Sequence, residues 1–251
     1  GIRVKEEDPV MAEKYDRLAK DLMKVSLTAY SWTAILGGIL LFTFITLFPG
    51  FFKYMAGIFR PVMHVYALMF LAESGVLYVY YYGWDKMKDD TFLKWIHCSL
   101  SVLLNLIGTV LMYLANSWAT FMQAPGGIDS EGRFLGNIWH VIHSTLWNPV
   151  GVHRILGNIV FGGGIVGAYA AYHYLTAKNE EERAHYDWVC YVAMFICIFG
   201  LIPLPFAGYW LMKEVYAFRQ QMGITLMGGI MAWLFIIQAV MIGLLFFAAN
   251  S

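Results

Sequence analysis

The chain has 251 residues, of which 59% are hydrophobic, 17% aromatic and only 14% charged, and its mean hydropathy is +0.58. A soluble domain of this length is not so apolar, so the composition places the chain in a membrane. Its formal net charge is zero, and no block of like charge is long enough to form a basic arm, which excludes an electrostatic nucleic-acid binder.

The first 24 residues are charged and hold no apolar run, so no leader is expected within them. From Pro9 to Lys24 the residues Val10, Met11, Leu18, Leu22 and Met23 are interspersed with charges. Such a segment can lie on a membrane as an interfacial helix, expected over 1–26, the alternative being a disordered polar tail. Residues 27–251 are expected to form one all-α membrane domain. A hydrocarbon core of ~30 Å needs about 20 helical residues, and apolar runs of that size fall at roughly 27–48, 61–82, 95–116, 150–176, 187–211 and 224–248. They predict a six-transmembrane-helix bundle. The connection 117–149 is long enough for a further interfacial helix around 133–146. With the N-terminus inside, eleven Lys and Arg fall on the inner side and six on the outer, as the positive-inside rule requires.

Span two carries Glu73 through its middle and ends in Tyr80-Tyr81-Tyr82-Gly83-Trp84-Asp85. A carboxylate in lipid costs several kcal/mol unless it is paired, protonated or facing a polar cavity, so Glu73 points to proton or cofactor chemistry. Neutral imidazole is a common axial ligand of haem iron. In this topology His64, His140, His143 and His153 gather at the outer leaflet, where they could hold one or two b-type haems. His140, His143 and His153 could equally be hydrogen-bonding interface residues, whereas His64 lies deeper, one turn into span two. His97, His173 and His185 lie near the inner ends. Cys98, Cys190 and Cys197 form no C-x-x-C or C-x-x-C-H pattern, so covalent c-type haem, ferredoxin and zinc-ribbon readings fail and the thiols read as packing residues.

Span four is rich in glycine, at Gly157, Gly162, Gly163, Gly164 and Gly167. Close helix packing through small residues explains this; so does room for a flat porphyrin. The connection between spans five and six, read as an outer loop, holds Tyr209, Trp210, Glu214, Arg219 and Gln220. A quinol needs a dry aromatic slot, a group to take its protons and a donor to hold its oxygen. These residues supply all three, although an aromatic belt with snorkelling charges has the same composition.

Three runs, Glu73-Ser74 followed by Gly83-Trp84-Asp85, Ala115-Asn116-Ser117-Trp118 with Gln123, and Asn148-Pro149-Val150, resemble in order and spacing subunit I of the cytochrome bd quinol oxidases. Phe218-Arg219-Gln220-Gln221-Met222 is similar to the segment that follows the quinol loop in that family, with one extra residue. The resemblance implies that Arg219 contacts quinol or a haem propionate and that Met222 is an axial ligand. The chain also departs from the family pattern. Gly157 stands where the family has a histidine, with His153 one turn earlier, and Val65 stands where it has a glutamate, beside His64. Counterparts of the family's first and final helices are missing, so a complete trihaem centre is not expected.

Together these readings predict a haem-b-binding subunit in a prokaryotic inner membrane, N-terminus cytoplasmic. It would pass electrons between quinone and a partner subunit, itself a cytochrome or other redox protein. The alternatives are a terminal quinol:oxygen oxidase completed by another chain, and a haem-free scaffold subunit.

Overall fold

The computed structural model describes residues 8–87, 90–229 and 231–249. Residues 1–7 of the expected interfacial segment, and Arg3, Lys5 and Lys88 of the charge count, lie outside the described residues. Within those described, the chain is helical almost throughout: α1 Pro9–Leu47, α2 Pro49–Tyr82, α3 Trp84–Met87, α4 Thr91–Gln123, α5 Ile138–Ile142, α6 Trp147–Thr176, α7 Glu180–Leu201, α8 Leu204–Phe218, α9 Gln220–Gly228 and α10 Met231–Ala249. The expected all-α membrane fold is present. Five helical segments are long and apolar enough to cross a membrane, with α7 and α8 counting as one. A sixth is made by α9 and α10 if their 51° bend lies inside one span. Two compact units divide the chain, Gly1–Trp118 and Ala119–Ser251.

In the first unit α1 and α2 form an antiparallel hairpin about the single residue Phe48. Near this joint Phe44 and Phe51 are in ring contact at 5.8 Å. Further along, Tyr30 stacks on Phe70 at 5.7 Å and its hydroxyl meets Ser74 Oγ at 2.7 Å. The chain then returns as α4, antiparallel to α2. At 1.5 Å per residue, helices of 39, 34 and 33 residues run about 50–58 Å, well beyond a ~30 Å hydrocarbon core, so each carries a stretch outside it.

This extra length accounts for the expected interfacial helix. The segment is helical, but it is the first part of α1 and has no break at residue 26. Asp8 caps it by accepting from the Met11 amide, and Pro9 occupies the first turn, where a missing N–H costs nothing. No glycine or proline interrupts the chain from there to Gly37.

In the second unit α6 and α7 pack face to face through glycine. A Cβ added at Gly163 would lie 3.0 Å from both the Ala193 carbonyl oxygen and the Cys197 amide nitrogen, and one at Gly200 would lie 2.8 Å from Val160 Cγ2. Gly157, Gly162 and Gly164, by contrast, have nothing within 4 Å of such an atom. Close packing thus accounts for Gly163 and Gly200, while Gly157 and Gly164 share another side of α6 and Gly162 lies apart from both. Cys197 is buried in the same seam and the Cys190 thiol points at the Gly167 carbonyl at 3.9 Å, as packing residues; Cys98 is exposed. Asn179 caps α7 by accepting from the Glu182 amide, and Glu180, Glu181 and Glu182 fill its first turn, complementing the positive end of the helix.

Two expectations are corrected here. The interfacial helix expected over 133–146 shrinks to α5, a little over one turn, because Gly127, Gly132 and Gly136 take φ of +69°, +78° and +88° and the chain turns where a helix would have to continue. Asp129 holds this turn, accepting from the amides of Glu131 and Arg133 and from Arg133 Nε. The outer loop expected to carry the quinone residues is mostly the helix α8. Pro203 caps α8 and Pro205 lies in its first turn, where a missing N–H costs nothing, and no proline follows before Arg219.

Candidate functional site

Glu73 lies on α2 facing α4, and Gly108 is what gives it room. A Cβ at Gly108 would be 3.0 Å from Glu73 Oε1. Among the described residues the carboxylate has no ion pair or hydrogen bond, while Ser74 beside it is engaged by Tyr30. A lone carboxylate in a span, uncovered on one side by a glycine, is placed to exchange a proton or to meet another group.

The four histidines of the expected ligand pool do not share one environment. His64, in the first unit, and His140, in the second, are exposed. His143 is also exposed. Its Nδ1 donates to the Trp139 carbonyl at 2.9 Å and its ring lies against Trp147 at 4.5 Å. That hydrogen bond leaves Nε2 with the lone pair, the state in which an imidazole can ligate a metal. His153, half-buried on α6, is different again, because its Nδ1 is enclosed and makes no hydrogen bond among the described residues. Opposite it stands Gly208 of α8, where an added Cβ would come within 3.4 Å of His153 Cε1.

One turn from His153 and Gly208 respectively, Val150 of α6 and Leu211 of α8 pack on the buried cluster Ala124, Leu146 and Val215, together with Met222 and Leu226 of α9. His153 thus extends an α6–α8 seam that Met222 closes at its other end. Arg219, with φ −139° and ψ 84°, is the non-helical joint between α8 and α9. It opens a groove of about 550 Å³ lined by Arg219, Gln220, Gln221, Met222, Thr225 and Leu226.

The proposed quinone residues converge only in part. Gln220 Nε2 donates to the Tyr216 hydroxyl at 3.0 Å. The packed face of α8 carries Ala207, Leu211 and Val215, with Glu214 half-buried at its edge. At 100° per residue Tyr209, 73% exposed, points away from that face, and Trp210 lies between the two directions. Tyr209 and Glu214 therefore do not line one slot on α8.

The sequence reading used Asn116 and Ser117 only as family markers and did not single out Thr120. All three are wholly enclosed on α4, and polar residues so placed in a span are there for hydrogen bonding. Their i, i+1, i+4 spacing in an apolar helix was the available signal. Likewise His97, read as an inner-end residue, is buried and stacks on Tyr80 at 4.2 Å with 4° between the rings. Its Nε2 donates to the Tyr80 carbonyl at 2.8 Å. This carbonyl lies in the last turn of α2, where no intrahelical partner follows. Among the described residues no three His, Cys, Asp or Glu side chains form a cage for a metal ion.

These features define a multi-pass helical membrane protein with an unpaired carboxylate in one unit and an enclosed imidazole in the other. The family model for cytochrome bd terminal oxidase subunit I matches residues 10–232, and the chain belongs to that family. A comparison with individual curated proteins returns no match. The membership makes this a subunit of a haem-containing respiratory oxidase, from a family that binds haem, uses quinol and works with a second subunit.

Proposed function

We propose that the chain is a haem-b electron-transfer subunit of a bacterial inner membrane, with its N-terminus cytoplasmic, carrying electrons between quinone and a partner redox subunit. The observation that carries this reading is His153. A buried ring nitrogen without a hydrogen-bond partner is costly, and holding haem iron is a role that would use the imidazole. The fit to haem is best in the second unit, where His153 and Met222 sit toward opposite ends of the α6–α8 seam and where Gly157 and Gly164, on the same side of α6 as His153 at 100° per residue, have open space at the Cβ position. His143, exposed like His64 and His140 but held by its Nδ1 bond to the Trp139 carbonyl with Nε2 left free, is the further ligand available there. Haem would supply one-electron chemistry, its potential tuned by ligand identity and burial.

The rest is done by the chain's own side chains. Arg219, at the mouth of the α9 groove, holds an oxyanion of quinone or propionate by charge-assisted hydrogen bonds. Gln220, Trp210 and Glu214 line the approach on α8 and α9, with Tyr209 at the lipid face. Glu73 holds a proton at Oε1. A second reading, quinol:oxygen oxidation completed by another chain, is favoured by the family's description as a terminal oxidase.

Haem content of the purified chain, measured as pyridine haemochrome after acid–acetone extraction, tests the assignment. His153→Ala should lose haem that His64→Ala retains. A colourless wild type would favour the scaffold reading, and loss of haem in His64→Ala alone would move the site to the first unit. Oxygen uptake with quinol and the partner present separates electron transfer from oxygen reduction.

A further inference from the structure

Gly208 stands opposite His153 for no reason of packing. An added Cβ there would meet His153 Cε1 at 3.4 Å and Nδ1 at 3.6 Å, which is ordinary contact, unlike the 3.0 Å approaches that surround Gly163. Alanine would therefore fit, and it is the better residue inside a helix. The same distances orient the imidazole. Its Nδ1–Cε1 edge faces Gly208, and no other His153 atom lies within 4 Å of that Cβ position. Nδ1 is enclosed without a hydrogen-bond partner among the described residues, whereas Nε2 is not shut in. The nitrogen that can present a lone pair to an incoming group is thus Nε2, and in a neutral ring Nδ1 then carries the proton. A buried N–H with no acceptor is costly and rare. A polar side chain at 208 would relieve it, yet the residue there is the one that has no side chain.

Building on the haem assignment above, we propose that Gly208 sets the electron-donating strength of His153, and with it the midpoint potential of the haem that His153 holds. A hydrogen bond from the far ring nitrogen to an acceptor raises the basicity of a ligating imidazole. The stronger donor stabilises the more highly charged ferric state and so lowers the potential. With glycine at 208, this position of α8 offers Nδ1–H no side-chain acceptor, and the imidazole stays a weaker donor. Gly208→Ser would place Oγ one bond beyond a Cβ that lies 3.6 Å from Nδ1, within reach of a hydrogen bond. Gly208 is thus a positioning residue, acting on haem only through His153.

The test is spectroelectrochemical titration of the full chain in nanodiscs, with wild type, Gly208→Ala and Gly208→Ser compared at measured haem content. Gly208→Ala fills the space without adding an acceptor, and should leave the midpoint where it is. Gly208→Ser should shift the midpoint to a lower potential while haem content stays that of the wild type. His153→Ala separates the two assignments. A haem that survives His153→Ala, or a colourless wild type, would overturn the ligand and the role of Gly208 together. With haem lost in His153→Ala, an unshifted midpoint in Gly208→Ser would overturn the role of Gly208 alone, as would an equal shift in Gly208→Ala. Loss of haem from either Gly208 variant would overturn it too, because a side chain in ordinary contact with the ring should not displace it.

Discussion

Gly163 and Gly164 are chain neighbours, yet the structure gives them opposite tolerances. An alanine methyl at Gly163 would lie 3.0 Å from the Ala193 carbonyl oxygen and the Cys197 amide and 3.1 Å from Cys197 Cβ, so α7 must yield by a few tenths of an ångström. Two of those three atoms are helix backbone and cannot swing aside. Overpacking of this kind costs about 1–3 kcal/mol, and the gain from replacing glycine in a helix is at most ~1 kcal/mol. Gly163→Ala should therefore destabilise the chain by about 0–3 kcal/mol. At Gly164 nothing lies within 4 Å, only the propensity gain remains, and Gly164→Ala should be neutral or stabilising by up to ~1 kcal/mol. Reversible unfolding in mixed micelles, titrated with SDS and followed by tryptophan fluorescence, measures both. Gly167→Ala is an internal control, because its nearest obstacle at 3.2 Å is the movable Met194 sulfur. If Gly163→Ala proves as benign as Gly164→Ala, the α6–α7 seam does not rest on glycine contact at that level. Loss of haem from Gly164→Ala without loss of stability would show that the open face of α6 is the face the porphyrin uses.

Three further outcomes follow from single contacts. His97→Phe keeps a ring between Tyr80 and Trp84 but removes the donor to the Tyr80 carbonyl, and should cost about 1–3 kcal/mol in the same unfolding assay; an unchanged midpoint would show that this hydrogen bond contributes nothing. Asp129, outside the spans, is held below the ordinary aspartate range by the Arg133 amide and then by the Arg133 guanidinium. Its stabilisation of the 128–134 turn is present above the unfolded pKa and is lost as pH falls through the depressed folded value. Amide exchange at Glu131 and Arg133 measures it, and Asp129→Asn should remove the acid-dependent step. Finally, Arg219→Leu should slow haem reduction by a soluble quinol at matched haem content, in stopped flow. Unchanged rates would reduce Arg219 to a snorkelling anchor and leave the His153 assignment standing.

Composition and periodicity were enough to determine that this chain is an all-α membrane protein and where its spans lie, because twenty apolar residues in a row leave a backbone in lipid only the helix as a way to satisfy itself. The three short runs were enough for the family, since their residue types and spacings belong to one linear order. Where helices stop was less legible. The stretch from Tyr209 to Gln220 read as an outer loop because charges and aromatics mark an interface in sequence, but a helix longer than the membrane is thick carries most of them equally well. The ligand pool was hardly resolvable. His64, His140, His143 and His153 are the same residue on the same side of the predicted topology, and only the deeper placement of His64 within its span set one apart. Packing distinguishes their environments, by exposing the first two, tying one nitrogen of the third to the Trp139 carbonyl, and enclosing the Nδ1 of the fourth against a glycine. The same holds for Asp16 and Lys94, 78 residues apart, because an ion pair at that separation depends on where α1 and α4 end in space, which no local pattern records.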